Sequence, residues 1–167
     1  MALQGRVFKF GDDISTDHII PGRFFHLRSN IPELARHTLE DVNPQFASTV
    51  KPGDFIVAGK NFGLGSSREH APLVLKTLGV SAVLVKSAAR IFFRNAINIG
   101  LPVLVCDTAN IDEGDELVIN LAAGTIDDIT KGFELNFAAF PPVMLKILSE
   151  GGLLPYINKY GDFVIGT

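Results

Sequence analysis

The sequence predicts an α/β fold in a single domain with a β-rich annex. Three observations carry that prediction. Between residues 55 and 105, short apolar runs alternate with helix-like segments. The runs are Phe55-Ile56-Val57-Ala58, Ala82-Val83-Leu84-Val85 and Leu101-Pro102-Val103-Leu104-Val105. Continuous apolar strands separated by helices are the pattern of a parallel sheet covered on both faces. Between residues 115 and 136 the character changes to three short segments joined by polar turns, the pattern of antiparallel strands. No repeat, low-complexity tract or linker divides the 167 residues, so one domain is expected over 1–167.

In chain order, Arg6-Val7-Phe8-Lys9-Phe10 alternates and reads as the first strand. A polar loop follows from Gly11 to Gly22, with Asp12, Asp13 and Asp17. Asp12 and Asp13 suit turns, and Ser15 or Thr16 suits a helix cap. The acid spacing is not that of a calcium loop. Segment 23–28 gathers Arg23, His26 and Arg28 on an apolar footing of Phe24, Phe25 and Leu27. It reads either as a loop anchored by its aromatics or as a substrate loop that reads a carboxylate beside an apolar group. Pro32 to Glu40 is a short helix with proline at a permitted early position, ended by Asn43-Pro44.

Lys51-Pro52-Gly53-Asp54 turns the chain into the central strand, and a glycine turn at Gly63 and Gly65 follows it. A helix is expected from Ser66 or Ser67, because Ser66 and Glu69 have the spacing of a capping box. Gly79 closes that helix. The next helix opens at Ser87 or Ala88 and runs to Asn98, with Gly100 closing it. Strands are expected over 115–120, 124–129 and 133–136. Pro141-Pro142 opens a helix that Gly151-Gly152 ends, and 153–160 forms a last helical turn or two.

Composition removes several classes of function. The net charge is −3, which gives no basis for nucleic-acid or membrane binding. No apolar run reaches the roughly 18 residues of a spanning helix. The first residues lead into a strand pattern without a signal-peptide core, so a cytoplasmic location is expected. A hydrophobic fraction of 47% calls for a large core or for apolar surface covered by a partner, and it allows the isolated chain to self-associate. Cys106 is the only cysteine. An intramolecular disulfide is therefore excluded, as is an iron–sulfur cluster held by this chain alone. Cys106 is expected as a buried strand residue.

The chemistry concentrates in residues 58–70, Ala-Gly-Lys-Asn-Phe-Gly-Leu-Gly-Ser-Ser-Arg-Glu-His. A plain capped helix explains Ser66 and Glu69. It does not explain Arg68, a cation placed where a helix N-terminus is already positive. An anion arriving there resolves the conflict, since backbone N–H groups, the dipole and a guanidinium would converge on one carboxylate or phosphate. Ser66, His18 and Asp17 could be imagined as a triad, but Gly-Ser-Ser-Arg-Glu is not a nucleophile elbow. No zinc, haem, P-loop or dinucleotide motif is present. The residues alone lead to an anion-binding α/β domain that needs a partner.

Three stretches together carry a resemblance. They are Phe10-Gly-Asp-Asp-Ile-Ser-Thr-Asp-His-Ile-Ile-Pro-Gly22, Val57-Ala-Gly-Lys-Asn-Phe-Gly-Leu-Gly-Ser-Ser-Arg-Glu-His70 and Ala89-Arg-Ile-Phe-Phe-Arg-Asn-Ala-Ile-Asn-Ile-Gly-Leu-Pro102. In this order they resemble the swivel domain of the aconitase superfamily, in the form of the free-standing small subunits of its dehydratase branch. The resemblance implies a swivelling β/β/α domain. It implies hydro-lyase chemistry on a 2-hydroxy dicarboxylate through an alkene, with a separate large subunit carrying a [4Fe–4S] cluster. Isopropylmalate is the substrate implied first. Homoaconitate, a dimethylmalate-type substrate, or a non-catalytic carboxylate- or partner-binding module are the alternatives. By resemblance Ser66 is the base, Asp17 an active-site acid, and Ser67 and Arg68 bind a substrate carboxylate. The substrate loop falls at 23–28, with Arg28 as its reader and Arg23 as the alternative.

Overall fold

The structure is a computed structural model and describes residues 2–161. Seven strands form one mixed sheet: β1 (Ala2–Lys9), β2 (Phe55–Val57), β3 (Ala82–Val85), β4 (Val103–Val105), β5 (Glu116–Asn120), β6 (Thr125–Asp128) and β7 (Phe133–Asn136). Their order is β4-β3-β2-β1-β5-β6-β7. The half from β4 to β1 is parallel, and the half from β1 to β7 is antiparallel. The predicted annex is thus continuous with the parallel sheet through β1.

The core explains why the parallel strands are apolar on both faces. Ile56, Val83, Val85 and Val103 pack with helical residues such as Val74, Leu75, Phe92 and Ala96. Their neighbours Phe55, Val57, Ala82, Leu84 and Leu104 point the other way, onto Leu117, Ile119 and Ile126 of the antiparallel strands. The sheet folds back on itself, so the layers run β/β/α as expected.

The helical layer holds α1 (Thr16–Ile19), α2 (Ile31–Ala35), α3 (Phe46–Thr49), α4 (His70–Thr77), α5 (Arg90–Asn98), α6 (Pro142–Ser149) and α7 (Leu153–Tyr160). A 3-10 turn covers Gly22–Leu27. α5, α6 and α7 share a smaller core of Ile97, Ile147, Leu148 and Tyr156. The cap among the early polar residues is Ser15, whose side chain accepts the His18 N–H.

Three expectations are corrected, the first being the helix over 32–40, which ends at Ala35 with turns beyond it. The helix predicted from Ser66 or Ser67 begins at His70, and the Ser66–Glu69 capping box does not form. The physical reason is tertiary. Gly63 and Gly65 take φ of +79° and +103°, and the buried Thr16 hydroxyl donates to the Ser66 carbonyl at 3.0 Å. Those constraints hold 63–68 in a turn and bends against α1 and outweigh a local cap. Cys106, expected inside a strand, lies one residue beyond β4 and is half-buried. The short helix α3 was not legible, because four residues give no periodicity.

One buried group ties the antiparallel half to the 106–115 loop. Asp128 and Asp115 are almost completely buried. Asp115 Oδ2 accepts from the Asp112 N–H at 2.9 Å and pairs with Lys131 Nζ at 2.9 Å. Asp128 Oδ1 accepts from the Lys131 N–H, while its Oδ2 has no acceptor-side partner. A proton on Asp128, donated to Asp115, would satisfy that oxygen. Burial and the Asp115 carboxylate push Asp128 up from the usual carboxylate range. Burial also pushes Asp115 up, but the hydrogen bonds from Asp128, Asp112 and Lys131 outweigh it and hold Asp115 down. Asp112 and Lys131 are the other charged groups facing the pair, with Lys9 beyond Asp112 at 3.9 Å.

The sign of the pH dependence follows. A raised Asp128 contributes stability that is full below its unfolded value and is lost as pH rises through its folded value. A lowered Asp115 contributes above its unfolded value and loses that as pH falls through its folded one. The pair is therefore most stable with one proton. Asp128→Asn keeps a donor to Asp115 without the titration. Urea midpoints measured from pH 4 to 8 should lose the Asp128-dependent decline at the alkaline end in this variant. A profile identical to the wild type would rule out the shared proton.

Candidate active site

The parallel strands place three loops at one edge, after the carboxyl ends of β1, β2 and β3. Ligands of open α/β sheets bind in that position. The loops are stitched to one another by backbone bonds. The Gly63 N–H donates to the Ile14 carbonyl at 2.7 Å and the Thr16 N–H to the Leu64 carbonyl at 2.9 Å. Phe62 bridges to Ala88.

Asp12 and Asp13 belong to this stitching. Asp12 Oδ1 accepts the Lys60 N–H at 2.7 Å, and Asp13 Oδ1 accepts from Asn61 Nδ2 at 2.8 Å. A side chain at residue 59 would put its Cβ 1.7 Å from Asp12 Oδ1, so Gly59 is required for that bond. These aspartate side chains therefore tie two loops together rather than closing a local turn, and only Asp13 has the left-handed φ, +59°, of a turn residue. Among the described residues no group of three or more His, Cys, Asp or Glu could hold a metal ion.

The stitched loops enclose a cleft of about 300 Å³. Ser66, Ser67 and Arg68 line one side, with Gly65 and Thr16 at their back. The first turn of α5 lines the other side through Ala89, Arg90, Ile91 and Phe92. The N–H groups of Arg90, Ile91 and Phe92 precede the first intrahelical bond of α5. The helix terminus facing the serines is therefore that of α5 rather than α4. Ser66 lies four residues before α4, beyond the reach of its dipole, which fades within one turn.

Arg68 turns away from α4 toward the 17–25 segment. Its Nη1 donates to the Ile20 carbonyl at 2.8 Å and lies 3.6 Å from Asp17 Oδ1. Asp17 Oδ1 also accepts the Gly22 N–H at 3.0 Å. The Arg68 guanidinium stacks over the Phe25 ring, 4.8 Å from its centroid. Its Nε and Nη2 have no hydrogen-bond partner among the described residues, so they remain free for a ligand. The structure thus brings Ser66, Ser67, Arg68 and Asp17 into one neighbourhood.

The two loop arginines separate. Arg23 is tied up: it forms a bidentate pair with Asp41 at 2.8 and 2.6 Å and reaches Glu40 at 3.0 Å. Those carboxylates, Asp41 foremost, raise its pKa further, and the Arg23 guanidinium in turn holds Asp41 below the usual range. Arg28 is exposed, makes one bond to the Phe25 carbonyl at 3.2 Å, and has no acidic partner among the described residues. His18 does not join a triad, since its Nδ1 accepts from the Ser15 N–H at 2.9 Å.

Sequence reasoning missed Arg90 and Asn95, which line the cleft. Both sit in the third stretch quoted above, but nothing in their spacing marks them as facing the serines. It also missed Phe25 as the ring beneath Arg68.

Residues 13–108 match the aconitase C-terminal domain family. The chain belongs to that family. Its aconitase-type relatives extend over nearly the whole chain. It is 64% identical over 99% of its length to all of the 3-isopropylmalate dehydratase small subunit 2 of Archaeoglobus fulgidus. It is 56% identical over 96% of its length to 98% of the 3-isopropylmalate dehydratase small subunit 1 of Thermotoga maritima. The crystal structure of a 3-isopropylmalate dehydratase from Methanocaldococcus jannaschii superposes with a TM-score of 0.91 at 42% identity, covering 96% of each chain. The aconitase swivel fold expected from the three stretches is therefore the fold observed.

The back of this cleft is tied by the hydroxyl of the buried Thr16, which donates to the Ser66 carbonyl. Thr16→Val is expected to lower the unfolding free energy by about 1 kcal/mol, because the part-buried bond from the Thr16 hydroxyl to the Ser66 carbonyl is lost. Hydrogen exchange should quicken at residues 64–68 ahead of the rest of the chain. Unchanged protection there would show that the glycine turn alone holds the loop.

Proposed function

We propose that the chain is the small subunit of a 3-isopropylmalate dehydratase, a hydro-lyase that interconverts 2- and 3-isopropylmalate in leucine biosynthesis with a separate large subunit. The observation that carries this is the joint placement of Ser66 and Arg68 beside Asp17 at the carboxyl edge of the parallel sheet. The names of the relatives above favour isopropylmalate over homoaconitate or a dimethylmalate.

The donor set does not suit an iron–sulfur cluster in this chain. Cys106 is the single thiol, and burial, aided by Asp107, pushes it up to about 12. A cluster needs several thiolates. We assign the [4Fe–4S] cluster to the large subunit, together with the groups that act on the departing hydroxyl.

This chain supplies the proton acceptor and a carboxylate clamp. Ser66 Oγ takes the proton from the carbon next to a substrate carboxylate. Arg68, through its free Nε and Nη2, holds that carboxylate as its negative charge grows, and Ser67 adds a hydroxyl to the clamp. Arg68 and the α5 terminus across the cleft both favour the serine alkoxide electrostatically. Asp17 is the acid beside Arg68 and keeps its guanidinium turned into the site. Arg28 reads the second carboxylate, because Arg23 is already neutralised by Asp41.

Ser66→Ala tests the base. Ser66 is exposed and caps no helix, so its loss should leave stability within about 0.5 kcal/mol. On the reconstituted heteromer kcat should fall by roughly 10²-fold or more, followed by alkene absorbance. Ser67→Ala is the neighbour control. Near-normal kcat in Ser66→Ala with the loss in Ser67→Ala would move the base by one residue.

Arg28→Ala should lower kcat/KM by about 2 kcal/mol, the scale of a charge-assisted hydrogen bond. Arg23→Ala should leave kcat/KM close to the wild type. The reverse order in the same assay would make Arg23 the reader.

A further inference from the structure

The substrate loop and the serine loop meet on a single aromatic ring. The guanidinium carbon of Arg68 lies 4.8 Å from the Phe25 centroid, and that of Arg28 lies 5.1 Å from the same centroid. The His70 ring meets it edge-on at 5.6 Å. We propose that Phe25 is a positioning residue whose ring holds Arg68 and Arg28 as a pair of cations presented to one ligand with two carboxylates. The inference rests on the function proposed above and deepens it.

The physical case begins with repulsion. The two guanidinium groups stand within about 10 Å of each other, and Arg28 has no acid beside it among the described residues. An aromatic face carries negative charge density and attracts each cation, the more so where water is thinned. The Arg68 side chain is 19% exposed, so its stack is largely sheltered. Phe25 also bridges distant parts of the chain: Arg28 caps the end of the 3-10 turn that holds Phe25, whereas Arg68 comes from the loop after β2. Apart from the ring, among the described residues only the Ile20 carbonyl and Asp17 tie the Arg68 side chain to that segment.

Phe24 shows the contrast. Its ring also carries an arginine, Arg23 at 4.6 Å, but its other contact is His37, stacked at 3.8 Å. Arg23 is neutralised by Asp41, so that ring is an anchor for the loop. Phe25 has two cations with donors to spare, which is the arrangement of a site.

The test compares Phe25→Leu with Phe25→Tyr in the reconstituted heteromer. Leucine keeps an apolar side chain but has no ring face, whereas tyrosine keeps the face. Loss of pairing weakens binding of substrate and transition state alike, so Phe25→Leu should raise KM roughly tenfold with kcat within about threefold of the wild type. Phe25→Tyr should restore KM. A merely structural role would instead lower kcat through a smaller active fraction and leave KM alone.

A second readout needs no turnover. In the isolated chain, the Nε–Hε resonances of Arg28 and Arg68 should carry ring-current shifts that vanish together in Phe25→Leu. If wild-type heteromer fails to act on isopropylmalate, the functional reading falls, and these resonances still decide whether the ring pairs the arginines. An unchanged KM in Phe25→Leu, a tyrosine variant as impaired as the leucine one, or arginine resonances that ignore the substitution would overturn the proposal.

Discussion

Strand β1 serves two different neighbours, and the site depends on that. Residues Val7–Lys9 pair in parallel with Phe55–Val57, while Ala2–Arg6 pair antiparallel with Glu116–Asn120. The crowding where the two regimes meet is severe. A Cβ at Gly5 would lie 2.0 Å from the Gly53 carbonyl oxygen, so the chain needs glycine where β1 passes the turn before β2. Asp54 reinforces the junction, accepting from the Arg6 N–H at 3.3 Å and the Lys51 N–H at 2.9 Å. With β1 fixed between β2 and β5, the carboxyl ends of β1, β2 and β3 fall on one edge. Their three loops then have no choice but to meet.

How those loops meet is a matter of backbone satisfaction more than of side-chain packing. Loop carbonyls and N–H groups buried against the sheet need partners. Here the partners are other loops: Ile14 with Gly63, Thr16 with Leu64, Asp13 with Lys60. Positive φ at Gly63 and Gly65 lets the second loop follow the first closely. At residue 63 a side chain would also meet Phe92, with its Cβ 2.3 Å from the ring. The same residues that satisfy the backbone leave Ser66 and Ser67 exposed and Arg68 laid against the Phe25 ring. Structure and chemistry are divided within one short stretch, glycines for the former and Ser-Ser-Arg for the latter.

That division explains what the sequence revealed. The parallel strands were legible because burial on both faces forces continuous apolar runs, as in Ala82–Val85. The antiparallel strands were legible from their turns, and Arg68 was legible as an anomaly, a cation where a helix start was expected. The anomaly does mark the site, but it does not arise from a helix start. No helix begins at Ser66, because the Thr16 hydroxyl, 50 residues away in sequence, holds its carbonyl. A tertiary bond of that kind leaves no local trace. The α5 terminus across the cleft was invisible for the same reason. Arg23 and Arg28 could not be ranked until Asp41 appeared beside one of them.

The exposure of the site carries the last step. Ser66, Ser67 and Arg28 are exposed, and the Asp17 side chain is 70% exposed. A serine hydroxyl in contact with bulk water is a poor base, and water weakens each electrostatic term that favours its alkoxide. Arg68 and the α5 terminus gain their full effect only when the cleft is covered. Nothing among the described residues of this chain covers it, since α1 and the 3-10 turn stand behind Arg68 rather than over it. On the proposed function the large subunit must therefore do more than bring the cluster. On that proposal the large subunit would also form the roof that excludes water from Ser66.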